Sequence, residues 1–165
     1  MSSNLSRWAK ASIALNFQGQ LPNHKILVTG MRWNPIENGG EPGSDTGSFE
    51  RIELRLEGPM TRQRSNLRQR HTFMINLLLT SSKDTENFYK HDELVDRARA
   101  LFKDKICMYK IDRNSEPPFE SFGVLRVEKT LRRQIFVYNH GQREPNLNIE
   151  QTTIVARYWV DEVYR

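Results

Sequence analysis

The side chains best suited to metal or acid–base chemistry are four histidines. His24, His71, His91 and His140 are spread along the 165 residues, and metal sites need clustered donors at set spacings. Only His91 has a donor beside it, Asp92, in a segment that reads as a charged helix surface. We therefore expect surface or capping histidines and no metal site.

Motifs that would indicate catalysis are missing from the sequence. It contains neither the G-x-x-x-x-G-K-[ST] phosphate-binding loop nor the G-x-S-x-G nucleophile elbow. The glycine-rich segment 41–47 lacks the lysine and the strand-to-helix context of a phosphate site. Acidic residues alternate with basic ones, which is typical of a solvated face, whereas an acid–base pair needs burial. We predict no catalytic residue, no cofactor and no enzyme activity.

The most concentrated charge is a run of four arginines in residues 61–71, namely Arg62, Arg64, Arg68 and Arg70. This segment contains no acidic residue. One interpretation is a polar turn leading into an edge strand, where positive charge prevents aggregation. The other is a contact with phosphates, although aromatic residues suited to base stacking are missing around the run. The net charge of +5 and the pI of about 9.5 do not distinguish these two interpretations, because a charge of this size is ordinary for a soluble protein.

Composition is that of one globular but polar domain. Hydrophobic residues make up 37% and charged residues 27%, and the mean hydropathy is −0.70. No stretch approaches the roughly 18 apolar residues that would span a membrane, and the N-terminus lacks the apolar part of a signal peptide. Cys107, the single cysteine, cannot form an internal disulfide and is expected to be a small buried hydrophobe. Synthesis inside a cell is the expectation.

The periodicity of apolar residues predicts the helices and strands that position these side chains. Helical spacing predicts helices over 3–17 and 86–103. Strands are predicted over 25–29, 49–57, 71–80, 105–111, about 123–138 and 151–160. Gly58-Pro59 is expected to end the second of these strands. Because strands and helices do not alternate regularly, we predict a single α+β domain over 1–165, a mostly antiparallel sheet packed by two helices.

Two segments rich in breaker residues are predicted to be long surface loops, 31–48 and 112–122. The first has many glycines and few apolar residues to offset the entropy of ordering it. We expect it to be mobile in a free subunit and ordered in an assembly.

One strand carries an unexpected apolar side. Residues 49–57 alternate strictly, with Ile52, Leu54 and Leu56 on one face and charges on the other. The strand at 71–80 instead places Met74 and Leu78 on the face that alternation would expose. We predict that this second face is buried, either by a helix of the same chain or by a neighbouring subunit.

Several segments, in order, resemble a family of bacteriophage virion proteins. The opening Arg7-Trp8-Ala9-x-Ala11-Ser12-Ile13 with Phe17 resembles the family's R-W-x-x-A-S-[IV]-x-x-x-F. Later segments resemble its [IV]-x-G, [DE]-G-P, I-N-[IV]-L, [IV]-x-V-Y and N-x-G-Q motifs and its closing [QT]-x-T-[IV]-x-x-x-Y. They are Val28-Thr29-Gly30, residues 52–59, 75–78, 106–109 and 139–142, and 151–158.

This resemblance implies a neck or tail-completion protein, similar to tail terminators and head–tail joining proteins. Such proteins share a small α+β fold, form rings that are usually hexamers, and have no catalytic residues. The implied partners are other copies of the chain, the tail tube protein, the head–tail connector and DNA that passes through the channel without sequence-specific binding. The implied location is the virion neck or tail, with no membrane. This chain departs from the family pattern in two places. The 31–48 segment is long and acidic, and the positions before the I-N motif hold His71 and Phe73.

On these expectations Met74 and Leu78 belong to an inter-subunit interface, and the four arginines face a docking ring or the DNA. Two alternatives stay open. One is a head-side connector or another neck ring. The other is a basic nucleic-acid-binding module that uses 61–71 together with Arg126, Lys129, Arg132 and Arg133.

Overall fold

The computed structural model describes residues 3–30, 50–82, 89–129, 135–142 and 149–163. Their elements, in chain order, are two helices and seven strands. They are α1 (Ser3–Gln20), β1 (Ile26–Thr29), β2 (Glu50–Ser65), β3 (Arg68–Ser82), α2 (Lys90–Arg99), β4 (Lys105–Tyr109), β5 (Ser121–Val127), β6 (Ile135–Gln142) and β7 (Ile149–Val163). Two helices and a sheet agree with the single α+β domain that the periodicity predicts.

The strands form one mixed sheet in the order β1-β2-β3-β7-β5-β4, with β6 also paired to β7. β1 pairs with β2 in parallel, and the other described pairings are antiparallel. β7 is central, because one of its edges pairs with β3 over its full length. Its other edge pairs first with β6 and then, for two residues, with β5.

Both helices pack on the same face of the sheet, which we call the inner face. Ala9, Ile13 and Phe17 of α1 and Leu94 and Ala98 of α2 are buried in one apolar core. The strands supply alternate residues to this core, as a period of two requires: Ile52, Leu54, Leu56, Phe73, Ile75, Leu77, Leu79, Ile154, Ala156 and Tyr158. The opposite side of the sheet is called the outer face.

The prediction that Gly58-Pro59 ends a strand is wrong. β2 passes through a bulge between Glu57 and Met60 and continues to Ser65. Gly58 makes this route feasible, because its φ of +101° suits glycine and a Cβ there would lie 2.8 Å from the Thr72 carbonyl oxygen. Residues 60–72 therefore form a two-stranded hairpin, the hairpin arm, and β7 runs beside it. The arm does not lead into an edge strand, since β3 lies between β2 and β7.

The second helix is shorter than the predicted 86–103. It ends at Arg99, and the chain continues in tighter i to i+3 turns, in which the Leu101 and Phe102 amides donate to Ala98 and Arg99. Both side chains remain buried, and the Phe102 ring packs edge-on against Phe17. The apolar spacing that predicted a helix to residue 103 therefore reflects contact with the core, which continues after the helix ends.

The predicted strand 123–138 is divided into β5 and β6, which follow the same edge of β7. Val127 pairs with Tyr158 and Ile135 with Ala156, so β5 ends and β6 begins two positions apart along β7. The second predicted loop, 112–122, gives way to strand at Ser121. Cys107 is exposed, contrary to the expectation, because Ile106 and Met108 occupy the inward positions of β4. The 31–48 segment lies outside the described residues.

Candidate interaction surfaces

Arg70 is the most constrained arginine of the hairpin arm. Its Nε and Nη2 donate to Asp161 Oδ1 and Oδ2 at 2.8 and 3.1 Å, and its guanidinium carbon lies 3.7 Å from the centre of the Trp159 ring. The hydrogen bond from Arg70 is the main cause of a lowered pKa for Asp161. Arg70 therefore already has its own acidic partner within the chain.

The other three arginines of the arm are exposed: Arg62, Arg64 and Arg68. Arg62 is the cross-strand partner of Arg70, so both side chains project from the same side of the arm. The charges of Arg64 and Arg68 also help to lower the pKa of Asp161. These three arginines form no ion pair with the residues that the structure describes. The arm thus carries a surplus of positive charge.

An aromatic residue does lie next to this run, contrary to the sequence analysis. Trp159 is half-buried and is paired in register with Thr72 of β3 and Arg126 of β5. Arg126 is exposed beside it. The sequence places Trp159 89 positions after Arg70 (159 − 70), so only the pairing of β3 with β7 brings them together. The one available signal was the alternation in 151–160, which puts Trp159 on the side opposite Tyr158. Among the other basic residues of the alternative hypothesis, Lys129 is exposed, and Arg132 and Arg133 lie outside the described residues.

The outer face contains the apolar positions singled out in β3. Met74 and Leu78 are half-buried. Met74 lies between Glu57 of β2 and Arg157 of β7, and Leu78 lies between Glu53 of β2 and Thr153 of β7. Both helices lie on the inner face, so a helix of the described part of the chain does not cover them. Burial of this face by a neighbouring subunit stays a prediction.

Strand β6 extends the apolar surface. Phe136 and Tyr138 are 38% and 53% exposed, and they pair in register with Val155 and Thr153. With Met74, Asn76 and Val155 they line a depression on the outer face, which Glu128 and Arg157 also border. We call Met74, Leu78, Phe136 and Tyr138 the outer patch; partly exposed apolar side chains on one face are a feature of interaction sites.

The expectation of surface or capping histidines is wrong for two of the four. The ring of His71 is fully buried and contacts Thr61 Oγ1 and Glu162 Oε2, each at 2.9 Å. His91 is also buried and lies 2.7 Å from Ser81 Oγ and 2.8 Å from Thr152 Oγ1. Its pKa is lowered, chiefly because burial disfavours the charged ring. Each ring bridges neighbouring inward positions of the sheet, which is a structural role.

The described residues include no group of three or more histidine, cysteine or acidic side chains that could hold a metal ion. Neither described helix is long and apolar enough to cross a membrane.

Comparison with known proteins does not place the chain in a family. No family model matches it. Two curated relatives are histidine–tRNA ligases, from Methanococcus vannielii with 40% identity over 57 residues and from Methanococcus maripaludis with 31% identity over 94 residues. These matches cover 33% and 52% of this chain, which spans 14% and 22% of the length of the two ligases. One solved structure is similar over 100% of this chain and 98% of its own, with 12% identity and a TM-score of 0.47, too low to support an argument.

Proposed function

We propose that this chain is a structural subunit of a ring at the neck or tail of a bacteriophage, similar to a tail terminator. In this role it ends growth of the tail tube and joins the tube to the head connector. The observation that supports the proposal most is the outer patch, with Met74 beside Phe136 and Tyr138 and no described element over it. The proposal of a phage neck or tail ring in particular rests on the motifs that resemble those of virion proteins and occur in the same order.

A ring requires two unlike surfaces on each subunit, repeated by rotation. The outer patch serves as one of them, because covering the apolar area that Met74 and Leu78 still expose is favourable by roughly 25 cal/mol per Å². The exposed arginines of the hairpin arm serve a different contact, the docking of one ring onto the next. Complementary charges give such a contact its register.

On this proposal the fold is a tail-terminator-like, mostly antiparallel α+β domain and the ring is a hexamer. The protein is made in the host cytoplasm and resides in the virion neck. Its partners are its own copies, the tail tube protein and the head connector, and DNA passes through the ring without sequence-specific binding. Its action is mechanical and needs no catalytic residue or cofactor.

The test compares assembly with folding. Met74→Lys combined with Leu78→Lys should abolish ring formation, measured by light scattering after size exclusion with and without purified tail tubes. Both side chains are half-buried on the outer face and outside the core, so the monomer should stay folded, with its free energy of unfolding lowered by no more than about 1–3 kcal/mol. Arg51→Lys combined with Arg55→Lys, on the same face of β2, is the matched control and should assemble normally. Normal assembly of the double lysine variant would contradict the proposal.

A nucleic-acid-binding module is a second candidate, favoured by the position of Trp159 between Arg70 and Arg126. Basic side chains around an aromatic ring suit a single-stranded ligand. Such a module would bind DNA as a monomer or dimer, with an affinity that falls steeply with salt. A ring subunit should bind DNA weakly when isolated, so a titration across salt concentrations separates the two candidates.

A further inference from the structure

Strands β5 and β7 pair at only two positions and then separate. Arg126 pairs with Trp159 and Val127 with Tyr158, whereas β5 continues to Ser121 and β7 to Val163. A ladder continued in the same register would place Val124 opposite Asp161 and Phe122 opposite Val163. The space between the separated strands is an open groove, and Leu5 and Trp8 of α1 also line it.

The backbone along both sides of this groove is suited to accept another strand. The Arg157 carbonyl accepts a hydrogen bond from the Glu128 amide on the β5 side of β7. Because peptide groups alternate between the two edges of a strand, those of Asp161 and Val163 face the groove as well. By the same alternation from Arg126, that of Val124 faces it from β5. Phe122 also borders the groove, and it lies at a bulge where β5 has one residue more than β4. Within the described residues the peptide groups of these four residues have no backbone partner across the groove.

Side chains around the groove are apolar on one side and basic on the other. Trp8 packs edge-on against Phe122, with ring centres 5.2 Å apart, and Val163 is 57% exposed. Arg68 and Arg126 are exposed at the outer side, beside Trp159. They form no ion pair within the described ranges.

The two carboxylates of the groove form their close contacts with other side chains. Asp161 accepts hydrogen bonds from Nε and Nη2 of Arg70, and Glu162 contacts the buried ring of His71. The charge that remains available to a ligand is therefore positive.

We propose that this groove binds an extended segment of a partner protein, which adds as a strand between β5 and β7. Its side chains alternate, with apolar residues toward Leu5 and Trp8 and acidic residues toward Arg68 and Arg126. Backbone hydrogen bonds supply affinity and the alternating side chains supply specificity, as in other cases of strand addition.

Charge favours a partner over a second copy of this chain. The outermost described strands are β1, β4 and β6, which span Ile26–Thr29, Lys105–Tyr109 and Ile135–Gln142. None of them contains an acidic residue, so none complements Arg68 and Arg126. The proposal does not depend on ring assembly, because the groove lies within one molecule.

The experiment uses the full chain and a synthetic peptide of about eight residues, the length of an ordinary strand, that alternates valine with glutamate. Binding is followed by tryptophan fluorescence and by the amide NMR signals of Phe122, Val124, Asp161 and Val163. We expect these four signals to shift and the peptide to bind about tenfold more tightly than one alternating valine with lysine. A peptide with methylated backbone nitrogens along one edge should not bind.

Arg68→Ala combined with Arg126→Ala should weaken binding of the glutamate peptide about tenfold. Arg55→Ala combined with Arg99→Ala removes the same charge away from the groove and should leave binding unchanged. Equal binding to both variants, slow hydrogen exchange of the four amides in the free protein, or no shift on adding peptide would each overturn the proposal. If a single-stranded oligonucleotide shifts the four signals and the glutamate peptide does not, the groove belongs to a nucleic-acid site instead.

Discussion

Arg70 and Asp161 form a two-point ion pair across neighbouring strands, with N–O distances of 2.8 and 3.1 Å. The pair joins the hairpin arm to the end of β7, and the Trp159 ring covers the guanidinium. Side chains of this pair are only 25% and 20% exposed, so the hydrogen bonds are partly shielded from water.

Asp161→Asn should lower the free energy of unfolding by about 1–2 kcal/mol at neutral pH, because the charged acceptor is lost. The folded-state pKa of Asp161 lies below its ordinary value of 3.8. Its contribution is therefore present above that value and disappears as the pH falls through the lower, folded-state pKa. Urea unfolding at neutral and acidic pH should show the two proteins converging in acid. Glu120→Gln, which breaks the exposed pair with Lys110, should change stability by less than about 0.5 kcal/mol.

The three exposed arginines of the arm should be dispensable for folding. Replacing Arg62, Arg64 and Arg68 with serine, while keeping Arg70, should leave stability within about 0.5 kcal/mol of the parent, since such side chains lie away from the core. Joining of the ring to its neighbour should weaken. In vitro joining to tails, measured with a DNA titration across salt, checks this. Normal joining with lost DNA affinity would contradict the docking role and favour a surface that faces DNA.

His91 should make the fold sensitive to mild acid. Its pKa is lowered by burial, against the partial opposition of Glu150, Asp92 and Glu50. The unfolded chain thus takes up a proton as the pH falls below about 6.5, whereas the folded chain resists it down to a lower pH. Stability should fall across that window.

His91→Leu should remove this pH dependence and, by leaving Ser81 and Thr152 without their ring partner, cost about 1–3 kcal/mol at neutral pH. His140→Gln is the control, because His140 is exposed, and it should retain the slope of the parent. Thermal unfolding between neutral and mildly acidic pH gives both quantities. A His91→Leu protein with an unchanged slope would rule out this assignment.

Gly30 and Gly19 should respond in opposite directions to alanine. Gly30 has a φ of +85°, and a Cβ there would lie 2.1 Å from the Leu56 carbonyl oxygen. Gly30→Ala should therefore cost at least about 1–3 kcal/mol. Gly19 lies in α1 with nothing within 4 Å of the added carbon, so Gly19→Ala should stabilise the protein by about 0.5–1 kcal/mol. Denaturant unfolding of the two variants measures both effects.

The sequence by itself identified much of the apolar core. Strict alternation in 49–57 and the helical spacing of Ala9, Ile13 and Phe17 point to inward side chains that are buried in the fold. These patterns are local, since a strand repeats every two residues and a helix every 3.6. The same local reasoning failed at Gly58-Pro59, where pairing with β3 extends the strand through a bulge.

Only the tertiary structure decided what surrounds the arginines and the outer patch. Asp161 and Trp159 reach Arg70 because β3 and β7 pair along their whole length, and no local pattern specifies which strands become neighbours. Burial of His71 and His91 follows from the same pairing, which supplies Glu162 and Thr152 as their partners. Periodicity assigns a side chain to a face, but contacts between distant segments depend on how the whole sheet closes around its core.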